Sequence, residues 1–203
     1  RSQARCRPGS EGLSSLRRDT PDAIAMLEVE AKFAVRDLEE IRARLNRQGV
    51  QMARRQHERD IYYNAPHRDF AKTDEALRVR YDDTGVTVTY KGPKVRVGSA
   101  KAREEFNLAV ASGETLEAIL SRTGFRRAAM VSKVREFYEM GDVTVTLDDV
   151  DGLGTFIEIE VLTEDGGEMA AGRIGAVARA LRVDGPPIYI SYLEMLLGAD
   201  PRE

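Results

Sequence analysis

The segment 26–35, MLEVEAKFAV, alternates charged and hydrophobic residues over its whole length. Glu28, Glu30 and Lys32 occupy every second position, about 7 Å apart if the segment is extended. This pattern predicts a strand with one charged face. A solvent-exposed face would explain one such strand, but five further segments repeat the alternation. Together they indicate that the charged faces share an enclosed space.

Composition limits the class of protein. A chain of 203 residues is long enough for one domain with a sizeable core. No apolar run approaches the roughly 20 residues that cross a bilayer, so we expect no membrane-spanning segment. The 31 basic and 34 acidic residues nearly balance, which argues against nucleic acid as a partner. The single cysteine, Cys6, fits a reducing, cytoplasmic location.

Residues 1–25 are rich in Arg, Ser, Gly and Pro and carry little periodic hydrophobicity. We expect them to be a disordered leader or an upstream extension. Residues 26–200 are expected to form a single domain.

Hydrophobic periodicity predicts strands interrupted by a few helices. Helices are predicted at 37–48, 114–123 and 165–182. Strands are predicted at 26–35, 50–63, 76–82, 86–91, 103–110, 126–140, 142–148 and 153–162. The Asp-Thr-Gly turn at 83–85 joins two of the strands as a hairpin.

The order of elements repeats. Residues 28–50 and 103–125 both contain an acidic strand, a short link, an amphipathic helix and a glycine. Two similar halves of about four strands each would close a sheet on itself and remove its edges. The prediction is therefore an α+β fold: a closed eight-stranded antiparallel β-barrel with helices packed outside. The apolar segment 188–197 is expected to help cover that outer surface or to pack on a second subunit as a homodimer.

The charged faces contain seven cations and six anions: Lys32, Arg78, Arg80, Lys91, Arg103, Lys133 and Arg135, with Glu28, Glu30, Glu105, Asp148, Glu158 and Glu160. A barrel with a solvent-exposed charged surface and an apolar lumen would explain the alternation in any single strand. Several strands with almost all their charge on one side favour a charged interior instead, because the helices can cover the apolar side.

A lumen with this composition suits a metal-bound polyphosphate. Arginine and lysine bind phosphate oxygens, whereas carboxylates repel them unless divalent ions lie between. Buried charges without such a ligand would carry a large desolvation cost. Magnesium or manganese is the expected metal, since both prefer oxygen ligands.

The Glu28-x-Glu30-x-Lys32 strand resembles the signature of the CYTH superfamily, also called triphosphate tunnel metalloenzymes. Further segments strengthen the resemblance: QHERDIYYN (56–64), RDFAKTDEALRVR (68–80), VTYKGP (88–93), SKVREFY (132–138) and LDDVDGLGTFIEIE (147–160). The family contains class IV adenylyl cyclases, thiamine triphosphatases and inorganic triphosphatases, and its fold is an eight-stranded antiparallel tunnel. Residues 68–93 most resemble the cyclase branch.

The resemblance implies roles for single residues. It implies that five acids form a metal-binding wall: Glu28, Glu30, Asp148, Glu158 and Glu160. Glu30 and Glu160 are the first choices as direct ligands, and the other three acids would hold waters or orient cations. It assigns triphosphate binding to Lys32, Arg78, Arg80, Lys91, Arg103, Lys133 and Arg135. Within these sets the implied catalytic residues are Glu30, Lys32, Lys91, Lys133 and Arg135. Asn107 departs from the acid that relatives often carry there.

The function implied first is a class IV-type adenylyl cyclase that converts ATP into cyclic AMP and pyrophosphate. A triphosphatase acting on inorganic triphosphate, thiamine triphosphate or nucleotides needs the same residues and stays an alternative. A module that binds polyphosphate or nucleotide without turnover is the second alternative, although five inward carboxylates exceed what a simple anion binder needs.

Overall fold

The structure is a computed structural model that describes residues 27–163 and 167–198. The leader predicted at 1–25 lies outside the described residues. Among the residues described, no helix has both the length and the apolar character required to cross a membrane.

Nine strands form one antiparallel sheet: β1 (Leu27–Ala34), β2 (Met52–Asn64), β3 (Ala76–Asp82), β4 (Gly85–Lys91), β5 (Val95–Val97), β6 (Ala100–Val110), β7 (Arg126–Met140), β8 (Val143–Val150) and β9 (Gly154–Thr163). Eight of them follow the order β1-β9-β8-β7-β2-β3-β4-β6, and β6 pairs back onto β1. The short β5 pairs with β6. The predicted closed eight-stranded antiparallel barrel is therefore confirmed, with one extra strand.

In the described part of the chain, five helices accompany the barrel: α1 (Leu38–Arg47), α2 (Phe70–Thr73), α3 (Gly113–Arg122), α4 (Glu168–Ala180) and α5 (Tyr192–Leu196). The side chains of Asp37 and Ser112 accept hydrogen bonds from the first turns of α1 and α3. These caps satisfy N–H groups that have no partner inside the helix, and so fix where each helix begins.

The apolar core lies outside the barrel wall. Val29 and Ile159 point outward from neighbouring strands and pack with Ile41 of α1 and Ile174 of α4. A second apolar group forms where Leu120 of α3 packs with Ile61 and Val79. Because strand side chains alternate, covering these outward faces with helices directs the charged faces into the lumen. The α+β class and the helices packed outside are thus confirmed.

The segment 188–197 does not cover the outside of the barrel as expected. The backbone N–H of Ile188 donates to the carbonyl oxygen of Lys32 (2.7 Å), and Tyr192 of α5 is buried at one end of the lumen. Its apolar residues had suggested an outer cover. They pack instead with the apolar residues Val131, Val150 and Phe156, beside that end of the barrel.

Candidate active site

The barrel encloses a cavity of about 610 Å³. Ten cationic and eleven anionic side chains line it, so the predicted charged interior is confirmed. Neither sign of charge dominates. The cavity therefore cannot act as a plain anion trap, and the positions of individual charges decide what it can bind.

Three carboxylates meet on one wall. Glu30 of β1 lies directly opposite Glu160 of β9, and Glu28 is two residues away on the same face. One oxygen from each carboxylate can be chosen so that all three lie within 4.8 Å of one another. We call these three residues the acidic cluster. Their oxygens are close enough to bind one cation together.

The electrostatics of the acidic cluster are unfavourable without a cation. Burial, followed by repulsion from Glu28 and Glu30, raises the pKa of Glu160 to about 8. Burial also raises the pKa of Glu28, although Lys91 lies 3.1 Å from its carboxylate. Within the described part of the chain, the Glu160 carboxylate makes no ion pair or hydrogen bond. Clustered acids with one unpaired member are typical of a cation site.

A continuous series of ion pairs runs around the lumen and ends at Glu28 of the acidic cluster; we call it the ion-pair belt. In order, its members are Lys32, Glu158, Arg135, Asp148, Lys133, Glu58, Arg80, Asp60, Arg78, Glu105, Lys91 and Glu28. The links include Lys32 to Glu158 (3.2 Å), Lys133 to Glu58 (3.2 Å) and Arg80 to Asp60 (2.7 Å). The belt uses residues from all eight strands of the closed barrel and begins and ends on β1.

The belt brings together six of the seven cations predicted to bind triphosphate: Lys32, Arg78, Arg80, Lys91, Lys133 and Arg135. Burial alone would lower the pKa of Arg78, but Asp60 raises it above its usual range. Lys32 differs, since burial lowers its pKa to about 8, against the opposing effect of Glu158. The seventh, Arg103, lines the cavity but donates to the carbonyl oxygens of Gly92 (2.8 Å) and Asp74 (3.0 Å).

Asp148 and Glu158, two of the five predicted metal-binding acids, lie outside the acidic cluster. Asp148 is fully buried, does not line the cavity, and accepts from Arg135 Nε (2.6 Å) and the Tyr192 hydroxyl (2.7 Å). Glu158 pairs with Lys32 and Arg135. Both acids are therefore ion-paired with cations of the belt, and a role for either in metal binding stays a prediction.

Four residues of the site were not among the side chains predicted to face the lumen. Glu58 and Asp60 belong to the belt, and their alternation along β2 was a usable signal. Lys101 binds Glu30 (2.7 Å) from the end of a Gly, Pro and Lys-rich connection that gave no strand signal. Tyr192 comes from a segment that looked like an outer cover, and nothing in its pattern placed it at the lumen.

Comparisons with known proteins agree with this geometry. Residues 26–185 match the CYTH domain. A protein of Methanocaldococcus jannaschii, provisionally named as an adenylate cyclase, is 39% identical over 140 residues, covering 69% of this chain and 79% of the relative. The adenylate cyclase CyaB of Aeromonas hydrophila is 28% identical over 141 residues, covering 68% of this chain and 70% of the relative. A solved structure from Pyrococcus horikoshii OT3 is 39% identical, with a TM-score of 0.76, and the match covers 84% of this chain and 98% of the other.

Proposed function

This chain belongs to the CYTH family, and on that premise we propose that it is a metal-dependent enzyme acting on a nucleoside triphosphate. The reaction we favour is that of a class IV-type adenylyl cyclase, which converts ATP into cyclic AMP and pyrophosphate. The observation that carries the proposal is the acidic cluster facing the cations of the ion-pair belt inside one lumen. The adenylate cyclase names of two relatives support the choice of reaction.

The residues present fit a divalent metal ion. Glu28, Glu30 and Glu160 offer three carboxylate oxygens within 4.8 Å of one another, and the Glu160 carboxylate lacks a cationic partner in the described chain. Magnesium or manganese, bound by these acids, would neutralise phosphate charge and lower the barrier to attack at phosphorus. No other part of the described lumen brings three acids together in this way.

The cations of the chain bind and orient the triphosphate. Lys91 and Lys101 lie within 3.1 Å of carboxylates in the acidic cluster, so both can reach phosphate oxygens near the metal. Arg78, Lys133 and Arg135 belong to the same belt. Their fixed positive charge stabilises the negative charge that builds on the pyrophosphate as it leaves the α-phosphorus. Substrate binding exchanges a carboxylate partner of each cation for a phosphate oxygen.

A triphosphatase remains the second candidate for a specific reason. The acidic cluster and the belt surround the polyphosphate, and both act equally well whether the attacking oxygen belongs to ribose or to water. Attack by water on the terminal phosphorus would release inorganic phosphate and leave no cyclic product. A third candidate, binding without turnover, predicts metal-dependent affinity and no product.

One assay separates the three candidates. The protein is incubated with magnesium or manganese and with ATP, tripolyphosphate or thiamine triphosphate, and cyclic AMP, pyrophosphate and phosphate are measured. We expect cyclic AMP and pyrophosphate in equal amounts from ATP. Phosphate without cyclic AMP would contradict the cyclase and support the triphosphatase. Metal-dependent binding of all three compounds without any product would support the binding module.

A further inference from the structure

The C-terminal segment holds Lys32 at one end of the lumen. The N–H of Ile188 donates to the Lys32 carbonyl oxygen (2.7 Å), and Lys32 Nζ donates to the carbonyl oxygen of Ile190 (3.2 Å). The Tyr192 ring lies under the same ammonium, with Nζ 3.7 Å from the ring centroid. Three contacts from residues 188–192 thus fix both the backbone and the charged end of Lys32.

Tyr192 also reaches two other cations of the belt. Its ring centroid is 5.1 Å from Lys133 Nζ. Its hydroxyl donates to Asp148 Oδ2 (2.7 Å), and the other oxygen of Asp148 accepts from Arg135 Nε (2.6 Å). A negative ring face beneath two ammonium groups is a favourable arrangement, and it is stronger where water is excluded. Tyr192 is only 6% exposed.

The helix that carries Tyr192 is fixed to the barrel. Ser191 and Glu194 form a reciprocal capping box at the start of α5. Lys94, in the connection between β4 and β5, lies 2.9 Å from Glu194 and 2.6 Å from Asp74. On the other side, the Phe156 ring packs edge-on against Tyr192, with centroids 5.0 Å apart. These contacts leave the tyrosine ring little freedom to move away from Lys32.

We propose that Tyr192 is a positioning residue, which holds Lys32 and Lys133 through its ring and Arg135 through Asp148 so that their charges face the triphosphate. The inference rests on the proposed function. A lysine side chain loses rotamer freedom when it binds phosphate, and that cost is smaller if the ammonium is already fixed. Tyr192 therefore contributes to affinity and rate without contacting the substrate itself.

Two variants and a control test the proposal. Tyr192→Phe removes the hydroxyl that binds Asp148 and keeps the ring, whereas Tyr192→Leu removes both. Met195→Ala loosens the same helix, because Met195 packs in the same apolar group, but its side chain makes no polar or cation–π contact in the described chain. Each variant is assayed for kcat and KM with ATP, and calorimetry measures the Kd of tripolyphosphate with magnesium.

We expect Tyr192→Leu to raise KM and Kd about tenfold, since a desolvated cation–π contact is worth up to about 2 kcal/mol. Tyr192→Phe should lower kcat about threefold with little change in KM, because only the orientation of Arg135 is affected. Met195→Ala should lower Tm and leave KM and Kd unchanged.

Equal changes in KM and Kd for Tyr192→Leu and Met195→Ala would overturn the proposal, since a purely structural role affects both alike. If Tyr192→Leu does not fold, an unchanged kcat in Tyr192→Phe would overturn it. If the wild type binds tripolyphosphate but forms no product, the proposed enzyme function fails. The role of Tyr192 is then tested only by comparing the Kd of tripolyphosphate between Tyr192→Leu and Met195→Ala. Failure of the wild type to bind tripolyphosphate would refute both.

Discussion

At the scale of single residues, Glu160 differs from the other acids of the lumen. The belt acids have cationic partners, whereas the Glu160 carboxylate faces Glu28 and Glu30. Burial and those two carboxylates raise its pKa to about 8. A divalent cation would remove this repulsion, so metal binding should depend strongly on this side chain.

Replacing Glu160 with Gln should lower turnover by at least about 100-fold and weaken metal affinity, since even outer-shell changes at metal sites cost 10–100-fold. Steady-state assays over a range of manganese concentrations measure both effects. Asp149→Asn is the matched control, because Asp149 is an exposed acid on the adjacent strand β8. Unchanged activity in Glu160→Gln would refute the metal role of the acidic cluster.

Glu58 has the opposite electrostatic setting. Burial alone would raise its pKa, but Arg135, Lys133 and Arg80 hold it at about 2, compared with the usual 4.5. A carboxyl group with a lowered pKa stabilises the fold above its unfolded pKa, and this stability is lost as the pH falls toward the folded value.

The Glu58→Gln variant should therefore lose roughly 3 kcal/mol of unfolding free energy at pH 7. The difference from wild type should shrink as the pH falls from about 4.5 to about 2. Urea unfolding at pH 7, 4 and 3 measures it, with Glu104→Gln, at an exposed position, as control. A difference that does not vary with pH would contradict the lowered pKa.

Roles of single residues could be predicted only in part from the sequence. Alternation shows which side chains face inward, and it placed Glu28, Glu30, Glu160 and six belt cations correctly in the lumen. It does not show which neighbour each charge meets. Asp148 and Glu160 have the same inward pattern, yet one pairs with Arg135 and the other has no cation. Those partners depend on the stagger between strands that are distant in sequence.

At the scale of elements, regular strands and helices were predictable and short elements were not. The strands at 76–82 and 126–140 have the predicted bounds, and the helices predicted at 37–48 and 114–123 differ from α1 and α3 by only one residue at each end. The three-residue β5 and four-residue α2 were missed, since such lengths contain no full period of hydrophobic residues. The five-residue α5 begins at a local capping box of Ser191 and Glu194, but it is too short to show helical periodicity.

Glycines in two helices provide a matched test of packing. A Cβ at Gly113, the first residue of α3, would lie 2.6 Å from ring carbons of Tyr81, whereas a Cβ at Gly172 in α4 would meet nothing within 4 Å. Gly113→Ala should destabilise the protein by about 1–3 kcal/mol through this overlap. Gly172→Ala should stabilise it by roughly 0.5–1 kcal/mol, because alanine favours the helix.

Urea denaturation of the two alanine variants beside the wild type measures both effects. The same glycine-to-alanine change should lower the free energy of unfolding at position 113 and raise it at position 172. A stabilised Gly113→Ala variant would show that the Tyr81 ring moves freely, contrary to its hydrogen bond to Glu117.

At the scale of the whole molecule, the ion-pair belt links every strand of the closed barrel. The belt pairs the charges of the lumen with one another, so a bare polyphosphate meets carboxylates as well as cations. Metal and polyphosphate together should therefore bind far better than either alone.

Scanning fluorimetry with magnesium alone, tripolyphosphate alone and both together tests this dependence. At 100 times Kd, the combined ligand should add about 2.7 kcal/mol, or roughly 5–10 °C in Tm. Each component alone should shift Tm by less than half of that. An equal shift with tripolyphosphate alone would indicate simple anion binding.

The join between β1 and β6, which closes the barrel, is short. Among the described residues, four pairs connect these strands, Leu27–Glu30 with Lys101–Glu104, whereas eight connect β1 to β9. Because four pairs are the fewest between any two neighbouring strands of the closed barrel, this join should open most easily. Amide hydrogens along it should exchange with solvent faster than those between β2 and β7. Glu28 and Glu30 lie on this join, so ions and product should leave the lumen where the wall opens most readily.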